Sequence, residues 1–70
     1  MIIQDEMLRA AIARTLQIEE TDITEKKLEE LMTLSARSSG IISLEGLQYA
    51  VNLKYLDLCG NAIEDLTPIR

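Results

Sequence analysis

The 70-residue chain has no histidine, tryptophan or phenylalanine, a single cysteine, a single proline and two tyrosines. Each scarcity removes a class of function. Without histidine and with only Cys59, Cys-His nucleophilic catalysis and ordinary zinc sites are excluded. One cysteine cannot form an internal disulfide, so no disulfide framework staples the fold and the redox compartment stays open. No apolar run approaches the roughly 18 residues of a membrane span. Met1-Ile2-Ile3 passes at once into Gln4-Asp5-Glu6, so the basic, apolar and small-residue order of a signal peptide is missing. Basic residues are few as well: seven against twelve acidic ones, for a net charge of −5. That balance opposes the counterion release behind nucleic-acid binding and repels anionic membranes, so neither nucleic acid nor a bilayer is an expected partner.

What the chain does contain is aliphatic. It is 47% apolar, and 20 of its residues are leucine or isoleucine. At this length it forms at most one domain, burying only about 60% of the surface its unfolded chain exposes.

The front half reads as helical. Leu8, Ile12 and Leu16 recur every fourth residue, with Met7 and Ala11 widening the stripe. This predicts an amphipathic helix from Asp5 to Leu16, with Asp5 as N-cap. The acidic stretch Glu19-Glu20-Thr21-Asp22 lacks apolar periodicity and reads as a solvated connection rather than a docking surface for a basic partner. Thr24 then caps a second short helix, with Ile23 and Leu28 placed as a hydrophobic staple and Leu28, Leu31 and Met32 on its buried side. The two helices are expected to pack as a hairpin.

The back half repeats. Shifted by 22 residues, Leu31 falls on Leu53, Leu34 on Leu56, Ala36 on Leu58, Ile41 on Ile63, Leu44 on Leu66 and Leu47 on Ile69. The second copy follows L-x-x-L-x-L-x-x-N-x-I-x-x-L-x-x-I, a leucine-rich-repeat pattern. Leu56-Asp57-Leu58 alternates inward and outward as a short strand must. Asn61 offers an acceptor and donors where the chain turns away from that strand. The spacing of Ile63, Leu66 and Ile69, with Pro68 among them, suits a loop or a short 3₁₀ turn better than a long helix. Stacked units of this kind form a parallel sheet, and neither copy buries its leucines alone.

The segment from Leu47 to Ile69 resembles the 22-residue repeats of bacterial internalin-like proteins, which often contain an N-x-I-x-D-L-x-P-L stretch. The front half is similar to their helical N-terminal cap, in Asp5 opening the first helix, Ile23-Thr24 opening the second, and the Ser39-Gly40-Ile41 turn into the first repeat. Two positions depart from the pattern: Ser39 stands where the repeat asparagine belongs, and Ala36 replaces a strand leucine. The resemblance implies an α/β fold, with residues 1–32 a helical cap of two short helices and residues 33–70 about two repeats of a leucine-rich-repeat solenoid with short parallel strands. It also implies a secreted or cell-surface protein. Intracellular leucine-rich-repeat proteins of the phosphatase-regulator kind share the repeat length, and the missing leader pattern keeps a cytoplasmic location open.

In that family the concave strand face binds another macromolecule, so the resemblance implies a protein-interaction module with a protein partner. By strand alternation the residues on that face are Thr33, Ser35 and Arg37 in the first copy and Tyr55, Asp57 and Cys59 in the second. Tyr55 is the candidate hot spot, against the alternative that it only shields the neighbouring strand. Cys59 has no basic neighbour except Arg37 on the adjacent strand, and reads as a small unreactive residue. No catalytic role is expected for Asp57, Glu64 and Asp65, because a chain this thin is not expected to enclose a pocket of a few hundred cubic ångströms. Gly60-Asn61 reads as a turn and not a phosphate loop, and no cofactor is implied. The alternative function is a structural folding cap with no binding activity of its own. The open strand edge after the second copy is a template for self-association.

Overall fold

The structure, a computed structural model, describes residues 2–64 and Pro68. Helix α1 spans Glu6–Leu16 and helix α2 Glu25–Leu28; strand β1 is Thr33–Ser35 and strand β2 Tyr55–Asp57. Short 3₁₀ turns at Glu20–Asp22 and Leu47–Tyr49 complete the order. The strands pair in parallel, Thr33 with Tyr55, Leu34 with Leu56 and Ser35 with Asp57. The sequence repeat and the sheet register are therefore the same 22-residue step.

Alternation along β1 divides its residues cleanly. Leu34 and Ala36 are buried, whereas Thr33, Ser35 and Arg37 are exposed. Leu31, Leu34, Ile41, Leu44 and Leu47 of the first copy are each no more than 2% exposed. They share one cluster with Leu8, Ala11 and Ile12 of α1 and with Leu28 of α2. Ile3, ahead of the expected first helix, is also fully buried. Leu53, Leu56, Leu58 and Ile63 of the second copy are only partly buried against this core. Leu66 and Ile69, expected to point inward, and Asp65 lie outside the described residues.

Asp5 caps α1 as expected, its Oδ1 accepting the amides of Met7 and Leu8 at 3.0 Å each. Its second oxygen accepts the amides of Ile42 and Ser43 at 2.9 and 3.1 Å, so one carboxylate joins the helix N-terminus to the return path of the first copy. Burial pushes the Asp5 carboxyl up, but the amides of Ile42, Leu8, Ser43 and Met7 outweigh it and hold the group below its ordinary value. Gly46, at φ +100°, lets the N-terminal segment approach: a Cβ there would strike the Ile2 carbonyl oxygen and the Ile3 side chain. Thr24 caps α2 by accepting from the Lys27 amide at 3.1 Å.

Several expectations change in the folded chain. Met7 and Met32 are 47% and 54% exposed and do not join the core. Helix α2 is a single turn that buries Leu28 and ends before Leu31, so it cannot supply a stripe long enough for a helical hairpin. Instead α1 rests mainly against β1 and the Glu20–Asp22 turn, and α2 against the Leu47–Tyr49 turn. The acidic connection is also more structured than a solvated loop. Glu20 accepts from Arg9 Nε at 3.1 Å, while Arg9 Nη1 donates to the Ile3 carbonyl at 3.1 Å.

Candidate functional site

Parallel pairing brings the face residues of both copies side by side. Thr33 lies across from Tyr55, and Ser35 across from Asp57. Past the strand ends the pairing continues through Ala36 N to Asp57 O at 2.9 Å and Ser38 N to Cys59 O at 2.8 Å, placing Arg37 beside Cys59. Thr33, Ser35, Arg37, Tyr55 and Cys59 are exposed and Asp57 is half-buried. The six form three cross-strand rungs: an aromatic residue with a threonine at one end, a hydroxyl and a carboxylate in the middle, and a cation with a thiol at the other.

Arg37 and Asp57 are linked, Nε to Oδ2 at 3.5 Å, with side-chain exposures of 65% and 22%. The other Asp57 oxygen accepts the Cys59 amide at 3.2 Å. Arg37, expected to act if at all on Cys59, is thus aimed at Asp57. The pair was not picked out from sequence, yet its separation of 20 residues is the repeat step less one strand alternation, which sets the two on one face along a diagonal.

Asn61 stands where the strands end, and all its polar capacity is used. Its Oδ1 accepts the amides of Ser39 at 2.9 Å and Ile41 at 3.0 Å. Its Nδ2 donates to the carbonyls of Ala36 at 2.7 Å and Leu58 at 2.9 Å. It therefore fixes the turn of its own copy and that of the preceding one, which positions the ends of the sheet face.

Beside β2 lies an open groove of about 340 Å³, lined largely by Leu47, Ala50, Leu53, Lys54, Tyr55 and Leu56. The expectation that so thin a chain holds no such volume is corrected. Leu53 and Leu56 of the second copy, only partly buried, form part of its wall. Among the described residues no group of three or more histidine, cysteine, aspartate or glutamate side chains is arranged to hold a metal ion, and no helix is long and apolar enough to cross a membrane.

No family model and no curated protein matches the chain. Solved structures do. Internalin InlF from Listeria monocytogenes aligns over 97% of this chain at 36% identity and a TM-score of 0.88. Internalin C2 from the same species aligns over 97% at 38% identity and a TM-score of 0.89. The chain is internalin-like. A structure of the CBM51-2 and INT domains of Clostridium perfringens ZmpB aligns over 96% of this chain at 34% identity and a TM-score of 0.86. Coverage in the other direction is small: this internalin-like chain spans 21%, 31% and 14% of those three chains. At such likeness the two helices and the parallel strand pair belong to a bacterial leucine-rich-repeat fold.

Proposed function

We propose that the chain is the N-terminal part of a leucine-rich-repeat protein, a helical cap with the first repeats of a solenoid, that binds a protein partner on the face bearing Ser35, Arg37, Tyr55, Asp57 and Cys59. The observation that carries this reading is the 55% exposure of Tyr55 on the same face as the Arg37–Asp57 ion pair. A large ring at low entropic cost with an arginine on the same face is the composition of an interface centre. The internalin likeness supports a protein as the partner. The test is photocrosslinking from a benzophenone residue at position 55, with position 25 as control on a distant exposed helix. The expected result is a protein adduct from position 55 alone, lost on Arg37→Ala; adducts equally strong from both positions overturn the reading.

One observation favours a second reading, a folding cap. Leu31 and Leu34, between the helices and the second copy, are each 1% exposed, whereas Leu53 and Leu56 are only partly buried. A further repeat in the same register would complete their burial. Appending one 22-residue unit should then raise both the urea midpoint and the m-value. An unchanged midpoint argues for a cap already complete. Among the described residues β2 pairs with β1 alone, which supports self-association of the 70-residue chain through its other edge, and sedimentation showing only monomer at high concentration contradicts that part.

A further inference from the structure

We propose that the sheet face takes an extended peptide segment whose carboxylate side chain pairs with Arg37 and whose apolar side chain, about four residues away, lies on Tyr55. This deepens the binding reading above and rests on it. Arg37 is the one cation among the six face residues, and its side chain is 65% exposed. Asp57 engages only the Nε edge, at 3.5 Å, and is itself held through the Cys59 amide at 3.2 Å. The contact at Nε is an ion pair without a hydrogen bond, and among the described residues the guanidinium donates to no acceptor, which leaves its fork available. A planar fork of this kind matches a carboxylate in bidentate fashion. The carboxylate of Asp57 alongside, and the net charge of −5, disfavour a dianionic phosphate in the same place.

The spacing follows from the register. Tyr55 shares a rung with Thr33, and Arg37 lies four residues further along the strand direction. At strand rise this separates anchor and cation by about 13 Å, the span of four residues of an extended peptide. Thr33 on the Tyr55 rung and Ser35 between the two anchors, both exposed, offer hydroxyls to the peptide backbone.

The test is selection of phage-displayed random heptapeptides on the immobilised 70-residue chain, followed by affinity measurements on synthetic winners. Selected peptides should carry Glu or Asp four residues from an aromatic or large aliphatic residue. Changing that Glu to Gln, or Arg37→Gln in the protein, should each weaken binding about tenfold, with no further loss when both are combined. Arg37→Lys should recover only part of the affinity, since a point charge replaces the fork. Winners with no acidic preference, whose binding is lost on Tyr55→Ala but not on Arg37→Gln, overturn this inference and leave the binding face standing. No enrichment over a Tyr55→Ala, Arg37→Gln double variant overturns both.

Discussion

Asn61 Oδ1 accepts the amide of Ser39 at 2.9 Å, so the asparagine of the second copy serves the residue that occupies its own place in the first. Ser39 has too short a side chain to repeat the arrangement; its hydroxyl only donates to the Arg37 carbonyl at 3.2 Å. The two turns are consequently fixed by one side chain. Asn61→Ala would leave two amides and the Ala36 carbonyl in part-buried positions without partners, while the Leu58 carbonyl keeps only the longer bond from the residue 61 amide at 3.4 Å. The expected cost is about 3 kcal/mol or more by urea unfolding, at roughly 1 kcal/mol or above for each lost bond. Asn61→Asp should also destabilise, because it keeps the acceptors for Ser39 and Ile41 but sets a carboxylate oxygen against the Ala36 and Leu58 carbonyls, which lie 2.7 and 2.9 Å from the atom it replaces.

Asp5 sets a pH dependence. Its folded pKa lies below the ordinary 3.8, despite desolvation, because four backbone amides favour the carboxylate. A depressed folded value means that the contribution is fully present above the unfolded pKa and is lost as pH falls through the folded one. Stability should therefore be level near neutrality with respect to this group and decline below about pH 4. Asp5→Asn should lower stability at pH 7 and flatten the acid limb, read as urea midpoints from pH 2 to 7. A variant with an unchanged acid limb would falsify the assignment.

Ser38 and Gly60 occupy equivalent positions 22 residues apart, and both have positive φ, 49° and 80°. The first copy thus places an L side chain where the second uses glycine. Relieving that strain, Ser38→Gly should stabilise by about 0.5–1 kcal/mol, the left-handed penalty less the entropy glycine costs on folding. Gly60→Ala should destabilise, since its Cβ would sit 2.5 Å from the Ser38 hydroxyl oxygen as well as at positive φ. Thermal melts of both variants decide the point, and a neutral Gly60→Ala would count against it.

Leu34 and Leu56 are paired residues in the two strands but differ in cover: Leu34 is 1% exposed and Leu56 half-buried. Leu34→Ala should cost about 2–5 kcal/mol, the range for a truncated core leucine. Leu56→Ala should cost clearly less in this chain, and should approach the cost of Leu34→Ala once a further repeat is appended. Equal costs without that repeat would show β2 to be covered already.

Much was legible in the residues because it is local or periodic. The Asp5 and Thr24 caps need only a polar side chain two or three residues ahead of a free amide. The inward set of the first copy follows from repeat spacing, and the register was implied by the 22-residue offset. Met7 and Met32 were misplaced because periodicity says that a residue borders an apolar stripe and not whether anything stands opposite. The hairpin failed for the same reason: α2 stops after one turn, and the partner of α1 is a strand that comes later in the chain.

The scarcity of aromatic, basic and metal-binding residues, the two capped helices and the two-copy strand pattern are properties of the amino-acid order alone, since each depends on composition or on neighbours within one repeat. The second bond pair of Asp5 to Ile42 and Ser43, the four-way use of Asn61 and the pairing of Arg37 with Asp57 came only with the tertiary structure. Apart from the Asn61 bond to Leu58, they join residues 20 to 38 positions apart, and no local preference selects such partners. Packing of the folded chain brings these groups together, and for the part-buried bonds of Asn61 and Ser43 leaving the backbone groups unpaired would be costly.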